Sequence, residues 1–263
     1  MGPMRFGALD GRYSREHKEA EVPTHKVGTR EEWKAAVDAV HEQERELGRL
    51  DETIAKQRQE VPWVRVDKEY TFDAEDGRKT LPELFDGRSQ LLIYQLMFGP
   101  TYEAACPGCT GLADHFDGAL PHVNARDITL IAISRAPIEK LNAYKQRMGW
   151  KFPYVSSYNS DFNFDFDGSL TEDQMASDEM RKMVEEADDW LKDWADNVGT
   201  DLEHGMAENP SWNVFKLEDG VVYRTYYRTA PDRFLLSTYT QQLLDQVPDG
   251  RDADFPLRRH DEY

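Results

Sequence analysis

The 263-residue sequence lacks several features that mark common classes of protein. No apolar run approaches the roughly 20 residues that a membrane-spanning helix requires, so no membrane partner is expected. Cations are too few to indicate binding to nucleic acid: 32 Lys and Arg stand against 50 Asp and Glu, and phosphate binding needs clustered positive charge. The acidity, a net charge of −18, is interpreted as a source of solubility. The first eight residues contain no apolar signal-peptide core, which predicts a cytoplasmic protein.

Cysteine is equally scarce, with only Cys106 and Cys109 in the whole sequence. A chain of this length can bury a core large enough to fold without disulfide bonds. Cytoplasmic thiols are kept reduced, so a Cys-x-x-Cys pair there indicates redox chemistry or metal binding more than a structural bridge. Cys106-Pro107-Gly108-Cys109 is therefore the candidate functional motif.

The surroundings of this motif are typical of a thioredoxin-like redox site. Residues 91–98, Leu-Leu-Ile-Tyr-Gln-Leu-Met-Phe, are the most apolar segment of the chain and predict a central strand that is buried on both faces. A short loop follows, and a helix is predicted from Pro107 to about Leu120. A dithiol at the start of a helix that follows a central strand is the thioredoxin-like arrangement.

The remaining pattern predicts an α/β fold with a central mixed sheet flanked by helices. Ile128–Ser134 predicts a second buried strand, and Pro137–Met148 predicts the helix after it. An Asp-Gly turn joins strands 212–217 and 221–227 into a hairpin. Strands separated by helices form a parallel core, the hairpin adds an antiparallel edge, and this order is the thioredoxin topology. Further elements are predicted at 61–66, 70–72 and 151–156 (strands) and at 231–244 (a last helix).

A long N-terminal helix is predicted from Thr29 to Gln59, since Thr29 and Glu32 have the spacing of a capping box. Its apolar residues form a heptad-like stripe, which suits packing against one other helix. The stripe contains Trp33, Ala36, Val40, Leu47, Leu50 and Ile54. Two interpretations stay open: the helix packs on its own domain, or it pairs with a second subunit to form a homodimer.

An insertion at about 160–209 interrupts the core. Residues 161–166 alternate Phe with acid or amide and predict a two-faced strand or a loop. Residues 177–197 predict an amphipathic helix with one apolar face, ending at Trp194, and one acidic face. Its apolar stripe is interpreted as packing that covers part of the core. The predicted organisation is a tail and helical arm at 1–60, a thioredoxin-like domain at 61–247 and a C-terminal tail at 248–263.

The chemistry predicted for the motif follows from its place at a helix N-terminus. Unpaired N–H groups and a partial positive charge stabilise a thiolate there, so the pKa of Cys106 is expected to fall. Pro107 suits the first helical turn because it has no N–H to lose, and Gly108 leaves the approach to the sulfur open. Cys106 is the predicted nucleophile and Cys109 the resolving thiol, with no cofactor.

Other uses of the two cysteines remain open. They are inert core residues in one alternative, since free cysteine often packs as a small hydrophobe. In another, Cys106 and Cys109 bind zinc with His115 and His122, although that spacing is not the spacing of a common zinc finger. His115 is more readily interpreted as a capping or core residue, or as support for the site.

Two further residues are candidates on positional grounds. Pro210 directly precedes the strand at 212–217 and is the best-placed candidate for the cis-proline that packs against a thioredoxin dithiol; an ordinary turn proline is equally expected. Arg135 ends the strand 128–134, at the sheet edge where ligands bind in open α/β sheets. It holds a thiolate or an anionic substrate, or it forms a plain salt bridge.

Several segments resemble the bacterial thioredoxin-like family of predicted dithiol-disulfide oxidoreductases, which was first described as a domain of unknown function. The resemblance extends from the helix at Thr29 to the end of the chain. It is carried by Asp86–Gln90, Met97–Pro100, Cys106–Cys109, Ala113–Gly118, Ser134–Pro137, Met148–Pro153 and Arg259–Tyr263. The resemblance implies a thioredoxin fold and redox work, and it supplies no substrate.

The core is also similar to peroxiredoxins, at Ile133-Ser134 before a helix and at Phe152-Pro153, which implies a peroxiredoxin-like variant of the fold. A peroxidase site needs a Thr or Ser hydroxyl three residues before its cysteine, where this sequence has Glu103. Peroxidase chemistry is therefore the second choice. The sequence predicts a thiol-disulfide oxidoreductase that acts on a protein or small-molecule disulfide and takes electrons from a thiol donor.

Overall fold

The structure, a computed structural model, describes residues 26–229, 239–248 and 258–263. The predicted tail before residue 26, the first part of the last predicted helix and much of the C-terminal tail lie outside these residues. The chain divides into two compact units, of which one ends at Glu60 and the other begins at Val61.

The first unit contains helix α1, Arg30–Gln59. The predicted capping box is confirmed: the Thr29 hydroxyl accepts from the Glu32 backbone N–H, and the Glu32 carboxylate accepts from the Thr29 N–H. All 30 residues of α1 are described, and none is buried. Trp33 is 63% exposed and Leu50 is 53% exposed. Pairing of this stripe with a second subunit stays a prediction.

In the second unit, the described residues form one mixed sheet of eight strands, in the order β1-β8-β7-β4-β5-β6-β2-β3. Strand β4 lies between the parallel strand β5 and the antiparallel strand β7. Strand β6 continues the parallel part, and β7 and β8 form the predicted hairpin. The strands are β1 (Val64–Arg65), β2 (Thr71–Ala74), β3 (Gly77–Thr80), β4 (Gln90–Gln95), β5 (Ile128–Ser134), β6 (Tyr154–Ser156), β7 (Ser211–Glu218) and β8 (Val221–Thr229).

This sheet order confirms the predicted α/β fold with a central mixed sheet and thioredoxin-like topology. Alternate residues of β4 face two cores: Leu91 and Ile93 pack with Phe85 and Phe215, whereas Tyr94 packs with the two cysteines. Both sides of β4 are thus covered, which is why its sequence is almost continuously apolar.

The helices lie between the strands and in the insertion. They are α2 (Pro107–Ala113), α3 (Phe116–Asn124), α4 (Ile138–Met148), α5 (Phe162–Asp165), α6 (Glu172–Met175), α7 (Asp178–Glu185), α8 (Asp189–Val198), α9 (Leu202–Met206) and α10 (Tyr239–Leu244). In the part of the chain that the structure describes, no helix is long and apolar enough to cross a membrane.

Three predicted elements were wrong in detail. The helix from Pro107 to Leu120 is two helices, α2 and α3, and Trp150 Nε1 donates to the carboxylate of Asp114 at the junction, 2.7 Å away. That contact is long-range and leaves no trace in the local pattern.

The segment 161–166 is neither strand nor loop but the short helix α5. A helical turn brings Phe162 and Phe166 together, with ring centroids 4.5 Å apart, and Phe166 also packs on Phe215. The segment 177–197 is two helices, α7 and α8, because the Asp188 side chain accepts from the Leu191 N–H and caps a new helix.

Candidate active site

Cys106 lies at the N-cap position of α2, and Pro107 is the first residue of that helix. The chain reaches this point through a loop that leaves the end of β4. The Cys106 backbone N–H donates to the Met97 carbonyl over 3.0 Å, which ties the loop back to its own beginning. Cys109 follows one helical turn later. Both cysteines are free thiols and both are buried.

The two thiols have opposite electrostatic surroundings. Hydrogen bonding with the Cys109 thiol is the largest effect that lowers the pKa of Cys106, to about 6, against the opposing effect of burial. The backbone N–H groups of Cys109 and Gly108 and the indole of Trp194 add to this lowering. Burial and the neighbouring Cys106 raise the pKa of Cys109, although the Tyr94 hydroxyl bonds to its sulfur. These opposite shifts favour ionisation of the Cys106 thiol over that of Cys109.

Trp194 comes from the insertion, from the middle of α8. Its Nε1 donates to Cys106 Sγ over 3.3 Å, and the residue is 5% exposed. Trp190, four residues earlier on the same helix, is 38% exposed. Trp194, Ala195 and Val198 of α8 are buried in the same core cluster as the two cysteines.

The end of α8 is bonded to the loop that precedes the cysteines. The backbone N–H groups of Glu103 and Ala104 both donate to the Val198 carbonyl, over 2.9 and 3.2 Å. The Tyr102 hydroxyl, from the same loop, donates to the Gly205 carbonyl over 2.6 Å. These contacts attach the insertion to the segment that leads into Cys106.

Arg259, near the C-terminus, is buried in this same region. Its Nη2 donates to the Ala105 carbonyl over 2.7 Å and to the Asn197 carbonyl over 3.3 Å. Its Nε donates to the Tyr144 hydroxyl over 3.0 Å. One side chain thus connects the residue before Cys106, the end of α8 and helix α4.

Arg135 forms a salt bridge, which is one of the two roles that the sequence predicted for it. Its Nη1 lies 3.0 Å from Glu208 Oε1, and its guanidinium lies over the Phe164 ring, 4.3 Å from the centroid. Glu208 is 3% exposed and also accepts from the Ser169 hydroxyl over 2.6 Å. Burial raises the pKa of Glu208 to about 7, although Arg135 and Ser169 favour its ionised form.

Two other predicted site residues are not brought into contact with the thiols. His115 lies at the N-cap of α3, and its Nε2 is 3.1 Å from the Thr240 hydroxyl. The cis-proline interpretation of Pro210 was wrong: among the described residues there is no cis peptide bond. Pro210 leads instead into Ser211, which pairs with Gln95 at the end of β4 and bonds to its side chain.

The described residues form no metal site either. Within residues 26–229, 239–248 and 258–263, no group of three or more His, Cys, Asp and Glu could hold a metal ion. The set of Cys106, Cys109, His115 and His122 is therefore not gathered around one point.

Residues 22–263 match the profile of a family described as "Bacterial protein of unknown function (DUF899)". The chain belongs to this family. No curated protein matches the sequence. Among solved structures, peroxiredoxin Q of Xanthomonas campestris is 16% identical, with a TM-score of 0.41 over 62% of this chain and 81% of that one. The peroxidoxin BcpB of Mycobacterium tuberculosis is 14% identical, with a TM-score of 0.41 over 63% and 86%. A hypothetical protein of Sinorhizobium meliloti 1021 is 13% identical, with a TM-score of 0.36 over 74% and 89%.

Three residues of this DUF899 protein lie at the site without having been predicted there. Tyr94 belongs to the predicted central strand, and Trp194 to the predicted apolar stripe, but neither pattern says which atom the polar end will meet. Arg259 lies in a polar tail with no periodicity. The sequence offered only an indirect signal for Tyr94 and Trp194: a buried tyrosine or tryptophan needs a hydrogen-bond partner, and the pattern does not identify that partner.

Proposed function

We propose that this protein is a thiol-disulfide oxidoreductase in which Cys106 attacks and Cys109 resolves. The observation that supports the proposal is the opposite tuning of two adjacent thiols, with the pKa of Cys106 lowered and that of Cys109 raised. The thiolate is the attacking species in disulfide exchange, and an attacking thiol is most effective when its pKa lies near the ambient pH. A cytoplasmic location, expected from the sequence, belongs to this proposal.

The proposed reaction is a two-electron exchange. The Cys106 thiolate attacks one sulfur of a disulfide substrate, forms a mixed disulfide and releases the other substrate sulfur as a thiolate. Cys109 then gives up its proton and attacks Cys106 Sγ. The Cys106–Cys109 disulfide forms, the second substrate thiolate leaves, and the substrate has been reduced. A thiol electron donor must restore the dithiol.

The test is the reduction of a model protein disulfide, such as that of insulin, with dithiothreitol as the electron donor. Cys106→Ser should lower the rate to that of dithiothreitol alone. Cys109→Ser is the matched variant, because it keeps the nucleophile; incubated with the substrate in the absence of dithiothreitol, it should accumulate a mixed disulfide on Cys106 that mass spectrometry detects. Wild-type activity in Cys106→Ser would contradict the assignment.

The same variants separate the alternatives. A thiol peroxidase would consume peroxide and leave a sulfenic acid on Cys106 in Cys109→Ser. A binding protein with inert cysteines would neither form the disulfide under mild oxidation nor trap a substrate. If the protein is an oxidoreductase, trapping with Cys109→Ser in a cell extract would identify its disulfide-containing partner.

A further inference from the structure

We propose that Trp194 is a positioning residue for the nucleophile: its indole N–H holds Cys106 Sγ as an oriented thiolate, and α8 delivers that donor. The inference rests on the proposed function, since it takes Cys106 to be the attacking sulfur. It assigns to the acidic insertion a chemical role beyond covering the core.

The first support is the kind of bond. Trp194 Nε1 and Cys106 Sγ are 3.3 Å apart and both residues are buried. An indole nitrogen donates a hydrogen bond and cannot accept a proton. A hydrogen bond to a charged acceptor is about twice as strong as one to a neutral acceptor, so this contact favours the thiolate over the thiol. It therefore opposes the burial that disfavours charge on Cys106.

The second support is that the indole is held in place. Its ring meets the Tyr102 ring edge-on, with centroids 6.1 Å apart and an interplanar angle of 81°. Gly205 faces the other part of the ring, where a Cβ atom would lie only 2.8 Å away. The carbonyls of Asn197 and Val198, at the end of the same helix, are bound by Arg259 and by the Cys106 loop. A donor held before charge forms stabilises that charge without reorganising.

The third support is that few other groups can report on the same pH range. The titratable groups that face Cys106 are Cys109 from α2, Tyr94 from β4 and Tyr102 from the loop. Burial raises the pKa of both tyrosines well above the usual range, and that of Cys109 is raised as well. Arg259 is the charged group bound to the neighbouring carbonyl of Ala105. Glu208, which acts electrostatically on Tyr102 and whose pKa is raised to about 7, also titrates below pH 8. The comparison with Cys106→Ser therefore separates the ionisation of Cys106 from that of Glu208.

The test follows the six tryptophan indole N–H signals of the reduced, 15N-labelled protein by NMR between pH 4.5 and pH 8. We expect the Trp194 signal to shift with the midpoint at which Cys106 is alkylated, and we expect this shift to vanish in Cys106→Ser. The Trp190 signal, from a tryptophan of the same helix that is 38% exposed, is the internal control and should not follow that midpoint. If the pH dependence of the Trp194 signal were the same in the wild type and in Cys106→Ser, the proposal would be overturned.

A second measurement is the pH profile of Cys106 alkylation by iodoacetamide, read by mass spectrometry of its peptide. Trp194→Phe keeps an aromatic ring but removes the donor, and it should raise the Cys106 midpoint by about one pH unit, a tenfold change in ionisation. Trp190→Phe should leave the midpoint unchanged. An unchanged midpoint in folded Trp194→Phe would contradict the proposal.

If Trp194→Phe does not fold, the Trp194 signal can still be assigned by elimination, from variants of the other five tryptophans. The comparison of wild type with Cys106→Ser then tests whether the Trp194 signal depends on Cys106. Neither readout needs a disulfide substrate. A protein that reduces no disulfide but whose Trp194 signal follows Cys106 would refute the proposed function and keep this contact. The reverse result would refute the contact alone.

Discussion

Helices α1 and α8 are both amphipathic, each with tryptophan on its apolar side, and their apolar faces meet opposite fates. Trp33 of α1 is 63% exposed, whereas Trp194 of α8 is 5% exposed and bonds to the sulfur of Cys106. The local patterns hardly distinguish the two helices. An amphipathic pattern thus indicates that burial of one helix face would stabilise the protein, but it does not identify the partner that buries that face.

The difference lies in what surrounds each helix. Helix α8 ends in carbonyls that the Cys106 loop and Arg259 bind, so its apolar face is fixed on the core. Helix α1 has no buried residue along its whole described length. We propose that a second copy of the chain covers the α1 stripe, because its apolar residues keep the seven-residue spacing of a two-helix seam.

The largest expected effect comes from removing the buried tryptophan, Trp194. Trp194→Ala should lower the free energy of unfolding by about 3–5 kcal/mol, since it empties a packed position. Trp33→Ala is the matched control and should change it by less than about 0.5 kcal/mol in the monomer. Urea denaturation at low protein concentration measures both. Equal losses would mean that the two faces are covered to the same extent.

The next effect tests what covers α1. Leu47→Glu together with Leu50→Glu places charge at a/d seam positions, and lost leucine burial alone costs roughly 1.5–3 kcal/mol per side chain. Dimerisation should weaken by about hundredfold or more, measured by light scattering after size-exclusion chromatography. Glu52→Lys, on the opposite face, is the control and should leave the mass unchanged. A wild-type protein that is monomeric at all concentrations would refute the homodimer.

The parts of the fold that the sequence predicts are those set by short-range signals. Thr29 and Glu32 are three residues apart and define a helix start by themselves, and Ile128–Ser134 is apolar enough to be a buried strand in almost any fold. The order of such elements was sufficient for the α/β fold with a central mixed sheet and for the place of the Cys106–Cys109 pair between β4 and α2.

The parts that escaped prediction depend on contacts between distant residues. Trp194 and Cys106 are 88 positions apart, and Arg259 and Ala105 are 154 apart. Neither secondary-structure propensity nor hydrophobic periodicity predicts such a contact, because each residue fits its own helix or loop whether or not the other residue is nearby. The cap at Asp188, which divides the predicted helix at 177–197, is different: an Asp three residues before Leu191 is a readable local signal.

A smaller effect is expected at the clamp that holds α8. Arg259→Gln removes the charge and most of the donors that bind the Ala105 and Asn197 carbonyls, and it should cost about 2–3 kcal/mol. Hydrogen exchange of the α8 amides should accelerate, whereas exchange in α1 should not change. Arg258→Gln is the control, because Arg258 is exposed. Unchanged exchange in α8 would show that Arg259 does not hold that helix.

The smallest effect concerns a buried acid. All carboxylates of α1 are exposed, whereas Glu208, just after α9, is buried and its pKa is raised from 4.5 to about 7. Between these values the folded state binds the proton more tightly than the unfolded state, so this contribution to stability is present in acid and is lost as the pH rises through 7. Glu208→Gln should flatten the fall in unfolding free energy between pH 5 and pH 7 by about 2 kcal/mol. Glu203→Gln, at an exposed position of α9, should keep the wild-type slope. If the unfolding free energy of Glu208→Gln changed with pH in parallel with that of the wild type, Arg135 would keep Glu208 ionised throughout this range. The buried carboxylate of the insertion would then be charged, like the exposed carboxylates of α1.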